Sequence, residues 1–326
     1  MSRDYEDVAA KFWNLPTKGE EESTRETLFM DDIIQKAHID REIDSLLARV
    51  TDVTTVLDAG AGVGRFSIPL AKRGLEVTHL DISDSMLKKA REMAEEAGVT
   101  DRMVFVKSRI TELAGYPSDC FDLVICVDAP VSYVYPRHNQ VLRDLVRIAR
   151  KAVVVSVASR LGFFPYWYNP AQKHQYLVDQ DSGNPILKWY PPPTDQTWEA
   201  WQPDFEDQRR FLDTGLLEDP DGVVAKMERG ETPWPVTYCF LPEELARVLR
   251  EAGLQDVRLS GPGALSRTVP QPVLKKLLFV NLFARILVAP VVGLIYIGAV
   301  GSVVWLDLGY ALLVSSMLPK VIGFLM

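Results

Sequence analysis

The sequence predicts an α/β fold whose centre is a doubly wound, mostly parallel sheet. Short β-branched segments alternate with amphipathic segments between residues 53 and 160, which is the pattern of consecutive βαβ units. Segments 123–127 and 152–158 are almost entirely apolar, as expected for strands that helices cover on both faces. A long polar and aromatic section then interrupts the core, and the last 50 residues form an apolar C-terminal segment. We therefore expect helical insertions in addition to the sheet.

The first half of the predicted core begins with a helix over residues 29–50, where apolar residues recur at helical spacing. The β-branched run "TTVLDAG" is expected to be the first strand, and "RFSIPLAKRG" the helix after it, ended by Gly74. "EVTHLD" is the second strand. The next helix, in "SDSMLKKAREMAEEAG", has Ser83 as its predicted N-cap and Gly98 as its stop. The charged run "KGEEES", residues 18–23, is expected to be a solvated loop.

The second half of the core repeats the alternation. "MVFVK" and "FDLVICVD" are expected to be the third and fourth strands, and "NQVLRDLVRIARK" a helix that leads into the fifth strand, "AVVVSVAS". After the irregular section, "LPEELARVLREAG" predicts a helix and "DVRLS" a sixth strand. The sheet is therefore expected to continue beyond the insertion.

Composition narrows the class of function. The 326 residues carry a net charge of −8 and an isoelectric point near 5.2, which argues against a nucleic-acid partner. The three cysteines have no paired spacing, so the sequence predicts neither a disulfide framework nor a thiolate metal site: Cys120, Cys126 and Cys239. No apolar signal core is visible in "MSRDYEDVAAKFW". We expect a cytoplasmic protein that uses no metal.

A glycine-rich turn follows the first predicted strand, in "LDAGAGVGRFS", residues 57–67. A strand, a glycine turn and a helix N-terminus form a ligand site at the carboxyl edge of a sheet. A dinucleotide fingerprint would place its third glycine at position 65, but that residue is Arg65 and the glycine is Gly64. An acid at position 58 would repel a pyrophosphate, whereas Asp58 suits a ligand with an ammonium group. S-adenosylmethionine (SAM) carries an ammonium group and no phosphate.

The second predicted strand ends in Asp81, within "HLDISDSML". A carboxylate at this position can accept two charge-assisted hydrogen bonds from the diol of a ribose. Enzymes that bind NAD share this acid, so Asp81 predicts a nucleoside ligand without identifying it.

Three segments in order resemble the first, second and fourth motifs of the class I SAM-dependent methyltransferases. They are "VLDAGAGVGRFSIPLAKRG", "VTHLDISDSMLKKAR" and "FDLVICVDAPVSYV". The likeness covers roughly residues 53–160 and continues more weakly through 260. It implies a Rossmann-like sheet, SAM as the cofactor and methyl transfer as the reaction, and it says little about the acceptor.

The resemblance implies roles for individual residues. Four would surround the methionine part of SAM, namely Asp58, Gly60, Gly62 and Gly64. Asp81 would hold the ribose hydroxyls, and Ile82 and Met86 would pack near the adenine. The backbone around Val127 and Asp128 would line the methyl-donor cleft.

One position departs from the family pattern. The third motif often has an aspartate that accepts from the adenine amino group, but "VFVKSRITEL" has Arg109 there. An arginine side chain cannot accept that hydrogen bond. The resemblance therefore leaves backbone contacts of Arg109 or Ile110 for the adenine.

Proton removal from a hydroxyl acceptor would need a base. Asp128 at the end of the fourth strand, and His174 in the insertion, are the candidate catalytic residues, and Tyr133 is a weaker candidate. Two other functions stay open at this point. The chain could bind SAM without catalysis, or it could be a nicotinamide-dependent oxidoreductase, which Arg65 and Asp58 disfavour.

The insertion and the tail give the only sequence signals about the acceptor. Residues 160–235 hold five of the seven tryptophans, and thirteen acids against seven lysines and arginines. Aromatic side chains there could stack on a flat or apolar acceptor, so we expect a substrate lid, with a packed subdomain or a homodimer contact as the alternatives.

The apolar tail leaves three interpretations. Residues 286–306 contain no charge and are long enough to cross a bilayer, and residues 307–316 resemble a last strand of the sheet. The tail could pack on the fold or on a partner subunit. It could lie at the cytoplasmic face of a membrane, with Lys275 and Lys276 near anionic head groups. Without the last strand, it could form a transmembrane hairpin. A membrane location would favour a lipid-like acceptor.

These expectations divide the chain into five segments. Residues 1–52 would form an N-terminal helical cap and 53–160 the SAM-binding core. Residues 161–240 would form the lid insertion, 241–261 the end of the core, and 262–326 the apolar C-terminal segment.

Overall fold

The computed structural model describes residues 5–28, 30–160, 174–178, 185–189 and 205–260. The two segments expected to hold the tail helices and the last strand, 286–306 and 307–316, lie outside these residues, as does most of the aromatic insertion.

The core is a five-stranded sheet in which every neighbouring pair is parallel. The strands are β1 (Thr55–Ala59), β2 (Glu76–Asp81), β3 (Met103–Lys107), β4 (Phe121–Cys126) and β5 (Ala149–Val155). Their spatial order is β3-β2-β1-β4-β5, so the chain reverses direction of winding between β1 and β4. In a sheet of this kind ligands bind at the carboxyl ends of the strands, beside that reversal.

Helices precede, connect and follow the strands. Three come before the sheet: α1 (Tyr5–Trp13), α2 (Lys18–Leu28) and α3 (Met30–Leu47). Within the core lie α4 (Ser67–Lys72), α5 (Asp84–Glu96) and α6 (His138–Ile148). An antiparallel pair, β6 (His174–Val178) with β7 (Pro185–Trp189), precedes α7 (Phe205–Thr214), α8 (Pro220–Glu228) and α9 (Pro242–Glu251).

Alternate residues of the central strands face two separate apolar clusters. On β1, Leu57 and Ala59 belong to one cluster and Val56 to the other, and all three are fully buried. Strand β4 divides in the same way, with Val124 on one face and Ile125 on the other. Because both faces are covered, these strands consist of nearly continuous apolar residues, as the sequence indicated.

The predicted alternation of strands and helices from β1 to β5, the helix before it and α9 are confirmed. The predicted N-cap of α5 is also confirmed, since Ser83 Oγ accepts from Met86 N at 3.2 Å. The fifth strand begins three residues earlier than expected, directly after α6.

The prediction of a solvated loop at residues 18–23 is wrong, because this segment begins helix α2. Glu20 and Glu21 occupy the first turn, where carboxylates favour the helix dipole. Gly19 permits a close approach to α5, since a Cβ there would lie 2.7 Å from the carbonyl oxygen of Ser85. The ion pair of Glu20 with Lys89, at 2.7 Å, joins the same two helices.

The prediction of a sixth strand in "DVRLS", residues 256–260, is also wrong for the described chain. Asp256 and Arg258 pair with each other at 3.1 Å at the surface. Ser260 Oγ lies 2.9 Å from Nε2 of His38 on α3, away from any strand ladder. A strand needs a hydrogen-bonded neighbour, and this segment has none among the described residues.

Two further observations bear on the expected ends of the chain. Ser159, just after β5, bridges to Phe240 in parallel, so residues 236–240 return to the edge of the core before α9. Within the described part of the chain, no helix combines the length and the hydropathy that crossing a bilayer requires.

Candidate active site

A pocket opens at the carboxyl ends of β1, β2 and β4, where the order of the strands reverses. Helices α1 and α2 contribute Trp13 and Glu22 to its wall. Nine of the residues that the resemblance assigned to the cofactor site line this pocket: Asp58, Gly60, Gly62, Asp81, Ile82, Met86, Ile110, Val127 and Asp128. The fold thus brings together at one edge residues that are up to 70 positions apart.

The glycine turn is shaped by backbone conformations that only glycine adopts easily. Gly60 has a φ of 76°, and a Cβ at this position would lie 2.6 Å from the ring of Pro130. Gly62 has a φ of 56°, and no atom lies within 4 Å of where its Cβ would be. The first glycine therefore allows close packing beneath the turn, and the second keeps the pocket side open for a ligand.

Asp58 lies at the bottom of the pocket and is 1% exposed. Its Oδ2 is 2.5 Å from Oγ of Ser67 at the start of α4. Burial raises the pKa of Asp58 to about 7, and the nearby carboxylates of Asp81 and Asp128 act in the same direction, although the Ser67 hydroxyl opposes them. A cation beside Asp58 would relieve this cost, which fits the ammonium group that the sequence analysis assigned to this position.

Asp81 ends β2, and both of its oxygens accept backbone hydrogen bonds. Gly62 N donates to Oδ2 at 2.8 Å, and Ser83 N donates to Oδ1 at 2.8 Å. Burial raises the pKa of Asp81, while these N–H groups lower it. A carboxylate has about four acceptor sites, so each oxygen keeps one for a ribose hydroxyl.

The residues present fit SAM as a bound group. Asp58 can accept from an ammonium group and Asp81 from a diol, and the apolar side chains of Ile82, Met86 and Ile110 line the pocket for a planar base. The N–H of Gly62 is directed to the Asp81 carboxylate, so it is committed to an anion of the protein and not to a phosphate. This set of donors and acceptors suits a cationic nucleoside better than a dinucleotide.

Two predicted cofactor residues lie outside the pocket lining. Gly64 has a φ of 87°, and a Cβ at this position would lie 3.1 Å from the side chain of Ile68, so the glycine allows the turn to pack closely on α4. Arg109 faces helix α1, where Nη2 donates to Asp7 at 2.6 Å and Nη1 lies 3.4 Å from Glu6. The contact between Arg109 and the cofactor that the resemblance implied stays a prediction for its backbone.

Glu6 on α1 is a pocket residue that the sequence analysis missed. It is 3% exposed, forms an ion pair with Arg137 and accepts from Thr111 Oγ1 at 2.8 Å. Together with Arg109, these contacts fasten α1 across the carboxyl ends of the strands. No local signal marks Glu6, because its partners are more than 100 residues away in the sequence.

Asp128 follows β4, lies on the pocket wall and has a φ of 67°. Its Oδ2 pairs with Arg65 of the glycine turn, and its Oδ1 accepts from Gln35 Nε2 at 3.0 Å. The backbone N of Asp128 donates to Ser156 Oγ at 2.8 Å. The other candidate base, His174, is the first residue of β6, and the position of its side chain is not part of the description.

Aromatic residues from three parts of the chain meet beside the pocket. Trp13 and Tyr133 line it, with ring centroids 5.7 Å apart. Trp234 contacts both rings, at 5.9 and 6.1 Å, and Phe12 packs on Trp234 at 4.9 Å. Trp13 was not predicted, although its place at the end of the helical sequence "YEDVAAKFW" is a signal that could have identified it.

Comparisons with known proteins agree with this geometry. Residues 56–152 match the model of a methyltransferase domain family. The tRNA 5-carboxymethoxyuridine methyltransferase of Escherichia coli is 31% identical over 161 residues, which are 48% of this chain and 56% of that protein. The magnesium-protoporphyrin O-methyltransferase of Synechocystis is 32% identical over 106 residues, which are 32% of this chain and 44% of that protein. The chain therefore matches about half the length of these relatives.

A solved structure supports the fold. The magnesium protoporphyrin IX methyltransferase from Synechocystis, with bound SAH, superposes with a TM-score of 0.50 at 18% identity, over 79% of this chain and 93% of that one. Ordered motifs, a pocket that suits a cationic nucleoside and a matching domain family agree with one another. Residues 56–152 are similar in sequence to a methyltransferase domain family, and the fold around them is the Rossmann-like fold of the S-adenosylmethionine-dependent methyltransferases.

Proposed function

We propose that this protein transfers the methyl group of SAM to a small acceptor that is aromatic or lipophilic. One observation carries the proposal: a single pocket is lined both by the polar groups that suit SAM, Asp58 and Asp81, and by the aromatic rings of Trp13 and Tyr133. The first pair would hold the cofactor, and the second would hold the acceptor next to it.

The chain's own residues would act mainly by orientation. SAM, when bound, supplies an electrophilic methyl group on a sulfonium. Asp58 and Asp81 fix two ends of the cofactor site, and α1 covers it through the contacts of Glu6. Holding two reactants in line contributes on the order of 7–11 kcal/mol to a barrier reduction, so no strong acid or base is required for much of the effect.

The aromatic and apolar lining residues of the pocket support the proposed acceptor class. Trp13 and Tyr133 offer ring surfaces, and Val134 and Pro130 continue the apolar surface. Flat or apolar molecules gain from such a surface by burial and by offset or edge-to-face ring contacts, worth about 0.5–1.5 kcal/mol per pair beyond burial. This supports an aromatic or lipophilic acceptor.

Charge supports a small acceptor over a nucleic acid. Five carboxylates line the pocket: Glu6, Glu22, Asp58, Asp81 and Asp128. The arginine among the lining residues, Arg65, is paired with Asp128. A polyanion would meet repulsion here, so we favour small molecules, which agrees with the relative named for magnesium protoporphyrin rather than the one named for tRNA.

For a hydroxyl acceptor, Asp128 is the candidate base that lies on the pocket wall. Both of its oxygens already accept hydrogen bonds, from Arg65 and Gln35, so an acceptor hydroxyl would have to displace one of these donors or share an oxygen with it. His174 remains the second candidate. The proposed lid at residues 161–240 and a membrane-facing role for residues 262–326 would further favour a lipophilic acceptor.

The decisive experiment uses the full chain, SAM labelled on its methyl group, and fractions of a cell extract. Transfer of label to an organic-soluble small molecule is the expected result. Label in RNA would overturn the acceptor class. Binding of SAM without label in any fraction would overturn catalysis and favour a binding protein that kept the fold.

A variant tests the aromatic wall. Trp13→Leu is expected to lower label transfer at least tenfold, because the acceptor loses its ring surface, while the affinity for S-adenosylhomocysteine changes less than threefold. Tyr116→Leu is the matched control, since Tyr116 is a partly buried aromatic residue outside the pocket lining. Equal transfer by parent and Trp13→Leu would count against the proposed acceptor site.

A further inference from the structure

A buried chain of hydrogen bonds joins the base of the cofactor pocket to the glycine turn. It starts at Asp58 Oδ2, which is 2.5 Å from Ser67 Oγ. Ser67 Oγ is also 2.8 Å from Nδ1 of His79, and Nε2 of His79 is 3.1 Å from the carbonyl oxygen of Gly62. Ser67 and His79 are fully buried, so water cannot complete these bonds from outside.

The two ends of this chain of hydrogen bonds determine how many protons its residues hold. The carbonyl of Gly62 can only accept, so Nε2 of His79 must carry a hydrogen. In a neutral imidazole Nδ1 then accepts, and it takes the hydroxyl hydrogen of Ser67. Ser67 has no second hydrogen for Asp58, so the short contact between them requires a proton on Asp58.

The count can be stated without choosing a tautomer. Three hydrogen bonds need three hydrogens, whereas Ser67, a neutral His79 and an ionised Asp58 supply two. These hydrogen-bonded residues therefore hold one extra proton, either on Asp58 or on His79. An unsatisfied buried partner would cost about 1–3 kcal/mol, which is the reason to expect the extra proton.

The surroundings favour Asp58 as the residue that carries it. Burial lowers the pKa of His79 to about 4, and Arg91 on α5 disfavours an imidazolium further, while burial and nearby acids raise the pKa of Asp58 to about 7. His79 otherwise faces the ring of Phe105, at 5.2 Å. The ionisable groups near Asp58 are Asp81 at the end of β2, Cys126 of β4, Asp128 after β4, and the partner of Asp128, Arg65 of the glycine turn.

We propose that Ser67 and His79 are positioning residues that keep a proton on Asp58 in the free protein, and that Asp58 releases this proton to solvent when the ammonium group of the cofactor binds beside it. The inference rests on the proposed cofactor site and concerns its regulation by pH. After release, two hydrogens remain for the three contacts. His79 Nε2 still donates to the Gly62 carbonyl, the Ser67 hydroxyl donates to either Asp58 or His79, and the ammonium group replaces the lost proton as a donor to the Asp58 carboxylate.

The affinity for S-adenosylhomocysteine is expected to rise with pH. Below pH 7 Asp58 is protonated, so binding must expel a proton and is weakened. As the pH rises through 7 the proton is already lost and binding strengthens. For one group that titrates near 7, the affinity for S-adenosylhomocysteine rises about fivefold between pH 6 and pH 7. The ordinary pKa of an α-amino group, about 8, limits the gain at higher pH.

Two substitutions should each move this transition to lower pH. His79→Leu removes the acceptor for the Ser67 hydroxyl, which then donates to Asp58 and stabilises its carboxylate. Ser67→Ala removes the oxygen that accepts the proton of Asp58, so the protonated form loses its hydrogen bond. Variants that fold and keep the transition of the parent would contradict the role of Ser67 and His79.

Calorimetry of the full chain with S-adenosylhomocysteine, in two buffers of different ionisation enthalpy, counts the protons released. The parent is expected to release about 0.9 proton at pH 6, and to take up about 0.4 proton at pH 8, where about half of the free α-amino groups are neutral. Release below 0.2 proton at pH 6 would overturn the proposal, whether or not either variant folds. His138→Leu is the control, because His138 is also buried but lies outside the pocket lining, and its proton count should match the parent.

The readout separates this inference from the proposed function. If S-adenosylhomocysteine binds and a proton is released, this inference is supported even when no acceptor is found to be methylated. If the ligand does not bind at all, the cofactor site is wrong, and the proposal falls with it.

Discussion

Replacement of Asp81 by asparagine tests the cofactor site through one carboxylate. In the structure, Gly62 N and Ser83 N each donate to a different oxygen of Asp81, both at 2.8 Å, and the residue is 7% exposed. An amide keeps one acceptor oxygen but places an NH₂ group opposite one of these N–H donors. Asp81→Asn therefore loses a charge-assisted hydrogen bond and one acceptor for the ribose diol.

The magnitude follows from these contacts. A hydrogen bond to a charged group contributes about 1.5–3 kcal/mol. Since each 1.4 kcal/mol is tenfold in affinity, the Kd for S-adenosylhomocysteine should rise about 10- to 150-fold. Calorimetric titration of the full chain, with a thermal melt to verify folding, measures this directly.

Asp84→Asn is the matched control. Asp84 is an exposed acid three residues further along, and it pairs with Lys107 at 2.5 Å, outside the pocket lining. Its substitution should change the Kd less than twofold. If Asp81→Asn folds normally and binds S-adenosylhomocysteine as tightly as the parent, the assignment of the ribose site is refuted.

Three further predictions concern the scaffold around the site. Glu6→Ala should lower the unfolding free energy by about 1–3 kcal/mol, because two partly exposed arginines lose a buried carboxylate, and limited proteolysis should then cut within α1 faster than in the parent. Gly60→Ala should destabilise more than Gly74→Ala in thermal melts: both positions have positive φ, costing about 1–2 kcal/mol, but only the Cβ at Gly60 meets Pro130. Equal melting temperatures would contradict that packing. For Asp122, burial raises the pKa but hydrogen bonds from neighbouring backbone and hydroxyl groups outweigh it and hold the pKa well below its ordinary value. Its ionised form thus stabilises the fold above pH 4, so the stability gap between parent and Asp122→Asn should shrink as the pH falls below about 4 in urea titrations; a gap independent of pH would contradict this.

The sequence was informative where structure depends on local pattern. The continuous apolar strands and the short helices between them predicted β1 to β5, because strands covered on both faces need such composition. The motif residues at the ends of β1 and β2 were expected to meet, since parallel strands present their carboxyl ends at one edge. Asp58 and Asp81 do lie in one pocket.

The sequence was less informative about contacts between residues that are far apart along the polypeptide. The charges of "KGEEES" suggested a loop, but contact with α5 stabilises a helix there. Nothing near Arg109 indicates that its partners are Glu6 and Asp7, about 100 residues earlier. The pairing of Asp128 with Arg65 likewise depends on how two loops meet at the sheet edge. Such contacts follow from the tertiary fold and not from periodicity.

The central claim is that the glycine turn and its pocket bind SAM. The most direct measurement is a calorimetric titration of the full chain with S-adenosylhomocysteine and, separately, with NADH. The structure predicts one S-adenosylhomocysteine bound per chain, with an affinity that Asp81→Asn reduces and Asp84→Asn leaves unchanged. Tighter binding of NADH than of S-adenosylhomocysteine would contradict the account.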